Sequence, residues 1–346
     1  MSEKKGILRL AVCYVFCAAV LIMSFFGGLK SGKTENVQET AYFLPQNGFS
    51  DIKEDITPSA ENTQEPPKEE SLSTNSSSQV SATAVKGKII TKYISPYSAP
   101  LSYNKVYMKN STDLNVNIKN LLEAPLKFKI QKSGSPQVLI MHTHTTETFM
   151  ETEENFYTEN SKSRTTDNNK NMVKIGDIVA ERLNNAGINT LHDATKHDYP
   201  EYTGSYGRSA KTVNSYLSKY KDIKIVLDFH RDSVSSGSDK VKLSTEIEGK
   251  KAAQVMLVMG SQSGSIKDHP NWQENLKLAL KLQQTLEQKY PTLARPLSLM
   301  SKKYNQSLTT GSLLIEIGTE ANTLDEACYS AELVGEALVT LLNSLN

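Results

Sequence analysis

Apolar residues are spread along this chain in three different ways. Leu10 to Leu29 is a largely apolar run of twenty residues without a charge. From 30 to 86 the composition turns polar, and in "ENTQEPPKEESLSTNSSSQVSATA" large apolar residues are almost missing. Beyond Gln137, short solid apolar blocks alternate with stretches of helical period. The blocks "QVLIMH", "NTLHD", "IKIVLDFH", "AAQVMLVMG" and "SLLIEIG" predict strands, most of them buried on both faces. Between the first two, Met172, Val173, Ile175, Ile178, Val179 and Leu183 share one helical face, and Asn184, Asn185 and Gly187 mark its stop. Ala210, Val213 and Leu217 line a second helix; "NWQENLKLALKLQQTLEQKY" is a third, stopped by Pro291; "LDEACYSAELVGEALVTLLNSL" is the closing one. Strands alternating with helices predict an α/β fold, a mainly parallel sheet flanked by helices. Ahead of it, 87–135 reads as a lead-in packed on the domain, with "IKNLLEAPL" a short helix stopped near Pro125.

The first two regimes set the predicted topology. Twenty uncharged residues suffice to cross a bilayer as a helix. Lys4, Lys5 and Arg9 precede the run and Lys30 and Lys33 follow it, which leans towards a cytoplasmic N-terminus. A cleaved leader is the competing reading, but the core is long for one and no clear Ala-x-Ala site follows. The polar stretch cannot bury enough surface to offset its chain entropy and reads as a disordered tether. The expected layout is therefore a cytoplasmic 1–9, an anchor 10–29, a linker 30–86, the lead-in 87–135 and an exported domain 136–346. Net charge is +1, so no global field favours nucleic acid. Of three cysteines, Cys13 and Cys17 lie in the apolar run, leaving Cys328 alone, and no disulfide framework is expected.

Unusual chemistry gathers at three strand ends, where open α/β sheets place their sites. The first carries His142, His144 and Glu147; another Asp228, His230, Arg231 and Asp232; the last Glu316. Imidazole and carboxylate converging from separate strands suit a zinc centre, whose open position acidifies a water that can attack a carbonyl. Single residues have plainer explanations: a histidine after a strand is often a core or capping group, and Asp232 and Ser233 suit a turn. Glu316 is the only charge in the run Leu313 to Ile317. Its burial demands a partner, for which Arg231 is the structural choice and a role as general base the functional one. His192, His197 and His269 lie in polar stretches and read as solvated.

The blocks "LIMHTHTTETF", "YTGSYGRSA", "LDFHRDS", "VMLVMGSQS", "HPNWQENLKLALKL", "YPTLARPLSL", "KYNQSL" and "LLIEIGTEANTLDEA" resemble, in order and spacing, the stage II sporulation protein P family. The resemblance covers roughly Pro136 to the C-terminus. It implies a zinc-dependent N-acetylmuramoyl-L-alanine amidase, with endopeptidase activity on cross-links, that acts during forespore engulfment. It implies a twisted zinc-amidase sheet, and sporulation proteins D and M as partners. Carried over, it makes His142 and His230 metal ligands and Glu316 the carboxylate that activates water. Glu147 is preferred over His144 as third ligand; His144 then orients a ligand or contacts substrate. Arg231 would stabilise an oxyanion or hold a stem-peptide carboxylate. Tyr206, Arg208, Asn305 and Gln306 would line the cleft, against equally ready packing roles. Two alternatives stand beside this reading: a cross-link endopeptidase, and a wall-binding scaffold without zinc.

Overall fold

The computed structural model describes residues 84–131 and 134–345. The apolar run 10–29 and the tether lie outside these, and no helix among the described residues is long and apolar enough to cross a membrane. In chain order, β1 (Val85–Lys92), β2 (Leu101–Tyr103) and β3 (Val106–Asn110) precede a short helix α1 (Ile118–Glu123). β4 (Val138–Met141) and β5 (Phe156–Thr158) lead to α2 (Met172–Asn185), β6 (Thr190–His192) and α3 (Ser205–Lys219). β7 (Ile225–Asp232), β8 (Ser235–Ser236), β9 (Asp239–Ile247) and β10 (Lys250–Ala253) follow, then β11 (Val255–Gly260) and α4 (Trp272–Lys289). β12 (Leu297–Met300), β13 (Ser312–Thr319) and α5 (Leu324–Asn343) complete the order.

Eight strands form the central sheet in the order β2-β3-β12-β11-β13-β7-β4-β6. Its pairs are parallel except β2 with β3 and β11 with β13. The fold is thus mixed α/β. The antiparallel pair at its middle arises because β11 and β13 run in opposite directions, which apolar runs cannot reveal. The lead-in is more than a cover: β2 and β3 extend the central sheet, and β1 joins a second sheet with β5, β9 and β10. The predicted strand over 252–260 is two strands, broken at Gln254, whose side chain serves the backbones of Ile94 and Thr292.

Side-chain alternation decides what the sheet presents on each face. Val138, Ile140, Leu227, Phe229, Leu313, Ile315 and Ile317 pack with α2, α4 and α5 in the main core. Leu139, Met141 and Val226 pack under α3 on the other face. Met256, Val258 and Leu314 share that second side with Tyr206 and Tyr304. Asp228 and His230 continue the phase of Val226, and Glu316 that of Leu314. In register, Glu316 stands beside His230 and Leu314 beside Asp228. All four therefore face α3.

Candidate metal centre and its cleft

His144, Glu147 and His230 are buried, and one donor atom from each lies within 4.8 Å of the other two. His144 Nδ1 is 3.3 Å from Glu147 Oε1, and His230 Nδ1 is 3.6 Å from Glu147 Oε2. The backbone N–H of Arg231 also donates to Glu147 Oε2 at 3.2 Å. Behind the cluster, Asp228 Oδ1 sits 2.9 Å from His230 Nε2 without hydrogen-bond alignment. The loop after β4 is held by its threonines. Thr143 donates to Asp228 from N and Oγ1, at 2.8 and 2.7 Å. Thr146 donates to Asp198 Oδ2 from Oγ1 at 2.7 Å. Arg164 pairs with Asp198, reaches 3.6 Å from Glu147 Oε1 and lies over the Tyr202 ring, 4.7 Å from its centre. Tyr202 in turn covers His144, with ring centres 4.7 Å apart.

Electrostatics here favours a cation. Burial pushes the Glu147 carboxyl up, but His144 and His230 outweigh it and hold it well below the ordinary range. Burial pulls His230 down, yet Asp228 and Glu147 dominate and hold it well above the usual imidazole value. The imidazolium so favoured lies between two carboxylates, a position a divalent ion can take over. Glu316 is the opposite case. Burial, then Asp232, push its carboxyl up from 4.5 to about 8, and its Oε2 has no hydrogen-bond partner among the described residues. Two imidazoles, one carboxylate and a facing acid with an uncommitted oxygen fit a catalytic zinc donor set.

Several expectations need correction. His142 is not in the cluster. It continues the phase of Val138 and Ile140 and so points into the α2 side. Its Nδ1 is 3.0 Å from Phe229 O and its Nε2 is 2.9 Å from His192 Nε2. Facing a carbonyl, Nδ1 must carry the proton, and the remaining lone pair is then occupied by His192. Burial and His192 push this imidazole down to about 3. His144 takes its place at the centre. Arg231 lines the cleft and donates to the carbonyls of Thr148, Asp232 and Ser163. The cation beside Asp232 is Arg295, at 3.0 Å, so Arg231 makes no ion pair with Glu316.

Tyr206 does line the cleft, edge-on to His144 at 5.7 Å. Arg208 does not: its guanidinium caps the carbonyls of His197, Thr203 and Glu201. Asn305 ties to Tyr206 O and Ser209 Oγ, and Gln306 to Gly260 N and Val258 O, so both hold backbone in place. His192, His197 and His269 are not solvated. His192 bridges His142 and Asp177, His197 bridges His142 O and Thr212, and His269 is fully buried. Sequence reasoning gave no role to Asp228, Arg164, Asp198, Tyr202 or Tyr304. The phase shared by Asp228 and His230 was the available signal for the first.

Fold and cleft together define an α/β protein with a candidate metal centre at the ends of β4, β7 and β13. Residues 23–339 match the family described as stage II sporulation protein P. The chain belongs to that family. It is 30% identical over 210 residues to the stage II sporulation protein P of Bacillus subtilis strain 168, covering 57% of this chain. The match spans about half, 49%, of that relative's length. Among solved structures, the CwlD amidase from Clostridioides difficile, in complex with the GerS lipoprotein, is similar at TM-score 0.38 and 12% identity, over 60% of this chain and 98% of that one. The catalytic domain of CwlV from Bacillus (Paenibacillus) polymyxa var. colistinus gives 0.38 and 9%, over 61% and 99%. Similarity at that level carries no argument about activity.

Proposed function

We propose that this protein is a zinc-dependent peptidoglycan hydrolase of sporulation, an N-acetylmuramoyl-L-alanine amidase that removes stem peptides during engulfment. The observation that carries the reading is the buried His144, Glu147 and His230 cluster, with Glu316 on the same face of the sheet. These three residues would hold the ion, which when bound supplies a Lewis acid for the amide carbonyl and acidifies water. Glu316, with a free Oε2 and ionised once a cation neutralises the site, takes the proton of the attacking water and returns it to the departing amine as the C–N bond breaks. Asp228 orients His230 from behind, and the Thr146, Asp198 and Arg164 network fixes the loop that carries Glu147.

Family membership supports the sporulation setting. The family resemblance adds sporulation proteins D and M as partners, and the uncharged run 10–29 with its flanking charges supports attachment there with the catalytic domain outside the cytoplasm. The test uses the purified full-length chain with measured zinc on purified peptidoglycan, followed by analysis of the released muropeptides. Intact stem peptides from wild type and none from Glu316→Gln are expected. Cleaved cross-links as the main product would make it an endopeptidase instead. Full activity after zinc removal would sink the mechanism.

A further inference from the structure

Between β12 and β13 two consecutive non-glycine residues are left-handed: Tyr304 at φ 49° and Asn305 at φ 56°. Asparagine tolerates this conformation, but a bulky aromatic side chain adopts it only when the surroundings force it. Here they do. Asn305 Nδ2 donates to Tyr206 O at 2.9 Å and to Ser209 Oγ at 3.0 Å. Gln306 accepts from Gly260 N at 2.8 Å and donates to Val258 O at 2.9 Å. Lys302 O presses so closely on the end of β11 that a Cβ at Gly260 would lie 2.4 Å from it. Three independent attachments hold one strained turn.

What the turn delivers is Tyr304. Its ring packs on Met256, Val258 and Leu314 and lines the cleft with Glu316, His144 and His230. A phenylalanine would fill the same space. The hydroxyl is the extra feature, carried on a ring that lines the same cleft as Glu316. Burial, then Glu316, push its phenol far above the usual value, so it stays a donor at any working pH. Tyr206 sits on a regular helix and needs no special backbone. We propose that Tyr304 is a catalytic residue, its phenol donating a hydrogen bond to the carbonyl oxygen of the scissile amide as that oxygen gains charge. This rests on the amide-hydrolase reading above.

The test compares full-length wild type, Tyr304→Phe and Tyr206→Phe on purified peptidoglycan, recording kcat, KM, zinc per chain and Tm. Phe keeps the ring and removes only the donor. The expected result for Tyr304→Phe is a kcat lower by about a hundredfold, with KM, zinc and Tm unchanged. Tyr304→Phe within threefold of wild type overturns the proposal and leaves the hydrolase reading standing. Loss of activity together with zinc or Tm overturns it too, because the ring would then be packing. A defect in Tyr206→Phe alone assigns the donor to the other tyrosine. A wild type that frees nothing from peptidoglycan overturns the hydrolase reading and this proposal with it.

Discussion

Replacing each of two histidines, two positions apart, with alanine should damage the protein in opposite ways. His142→Ala removes the partner of Phe229 O, which is buried, and of His192 Nε2, which is partly buried against α2. Leaving two buried polar groups unmatched costs about 2–6 kcal/mol in total. At roughly 2–4 °C per kcal/mol for a domain of this size, Tm falls by about 5–20 °C. No cluster donor is lost, so zinc binding survives near one per chain. His144→Ala removes a donor that lies within 4.8 Å of the other two. Zinc binding of order 10 kcal/mol shared by three ligands loses about 3 kcal/mol, roughly a hundredfold in Kd. Chelator competition measures the affinity, and scanning calorimetry of metal-free protein measures the stability. A folded His142→Ala that cannot bind zinc, or a His144→Ala with wild-type affinity, would refute the argument from sheet faces.

Three further outcomes follow from the same geometry. Gly176→Ala should lower Tm by roughly 2–8 °C despite alanine's better helix propensity, because its Cβ would lie 2.3 Å from His192 Nε2 and 2.7 Å from His142 Nε2; an unchanged or raised Tm refutes it. Thr143→Val strips Asp228 of a 2.7 Å hydroxyl donor and should weaken zinc binding by about 10–100-fold with little change in fold, whereas full affinity would show that Asp228 does not steer His230. Glu316 is raised from 4.5 to about 8, so the folded metal-free protein keeps a proton that the unfolded chain releases. Its stabilising contribution is complete below about pH 4.5 and is lost as pH rises through 8. Urea unfolding of metal-free wild type should therefore lose stability relative to Glu316→Gln across that interval, and a constant difference would be inconsistent with a buried, protonated Glu316.

Much of this architecture is legible in the sequence because it rests on short-range patterns. Solid apolar blocks mark β4, β7 and β13, and helical spacing marks α2 to α5 within a few residues. The pairing of β1 with β9 and the antiparallel middle of the sheet depend on long-range register and are not. The strand ends themselves are visible, but choosing between His142 and His144 requires the face on which each block packs. That choice was partly within reach: Val138 and Ile140 belong to the longer apolar pattern, and His142 follows in their phase. What no local pattern reveals is that the chain turns at Thr143, held by Asp228, and so carries His144 to the other side. Nor does a local pattern reveal that the Arg231 guanidinium is taken up by the carbonyls of Thr148, Asp232 and Ser163.

The second sheet also has a mechanical consequence. β1 is the first described strand, and it lies parallel to β9 and antiparallel to β5. β5 belongs to the excursion between Glu147 and Arg164, whose two ends line the cleft. Tension applied to the chain before Val85 would enter along the strand axis and load the bonds to both neighbours in shear, where they resist together instead of opening one by one. The first rungs to feel it, Val85 with Thr158 and Lys88 with Phe156, end on the segment of chain that joins Glu147 to Arg164. A pull before Val85 is thus also a pull on the segment that joins Glu147 to Arg164.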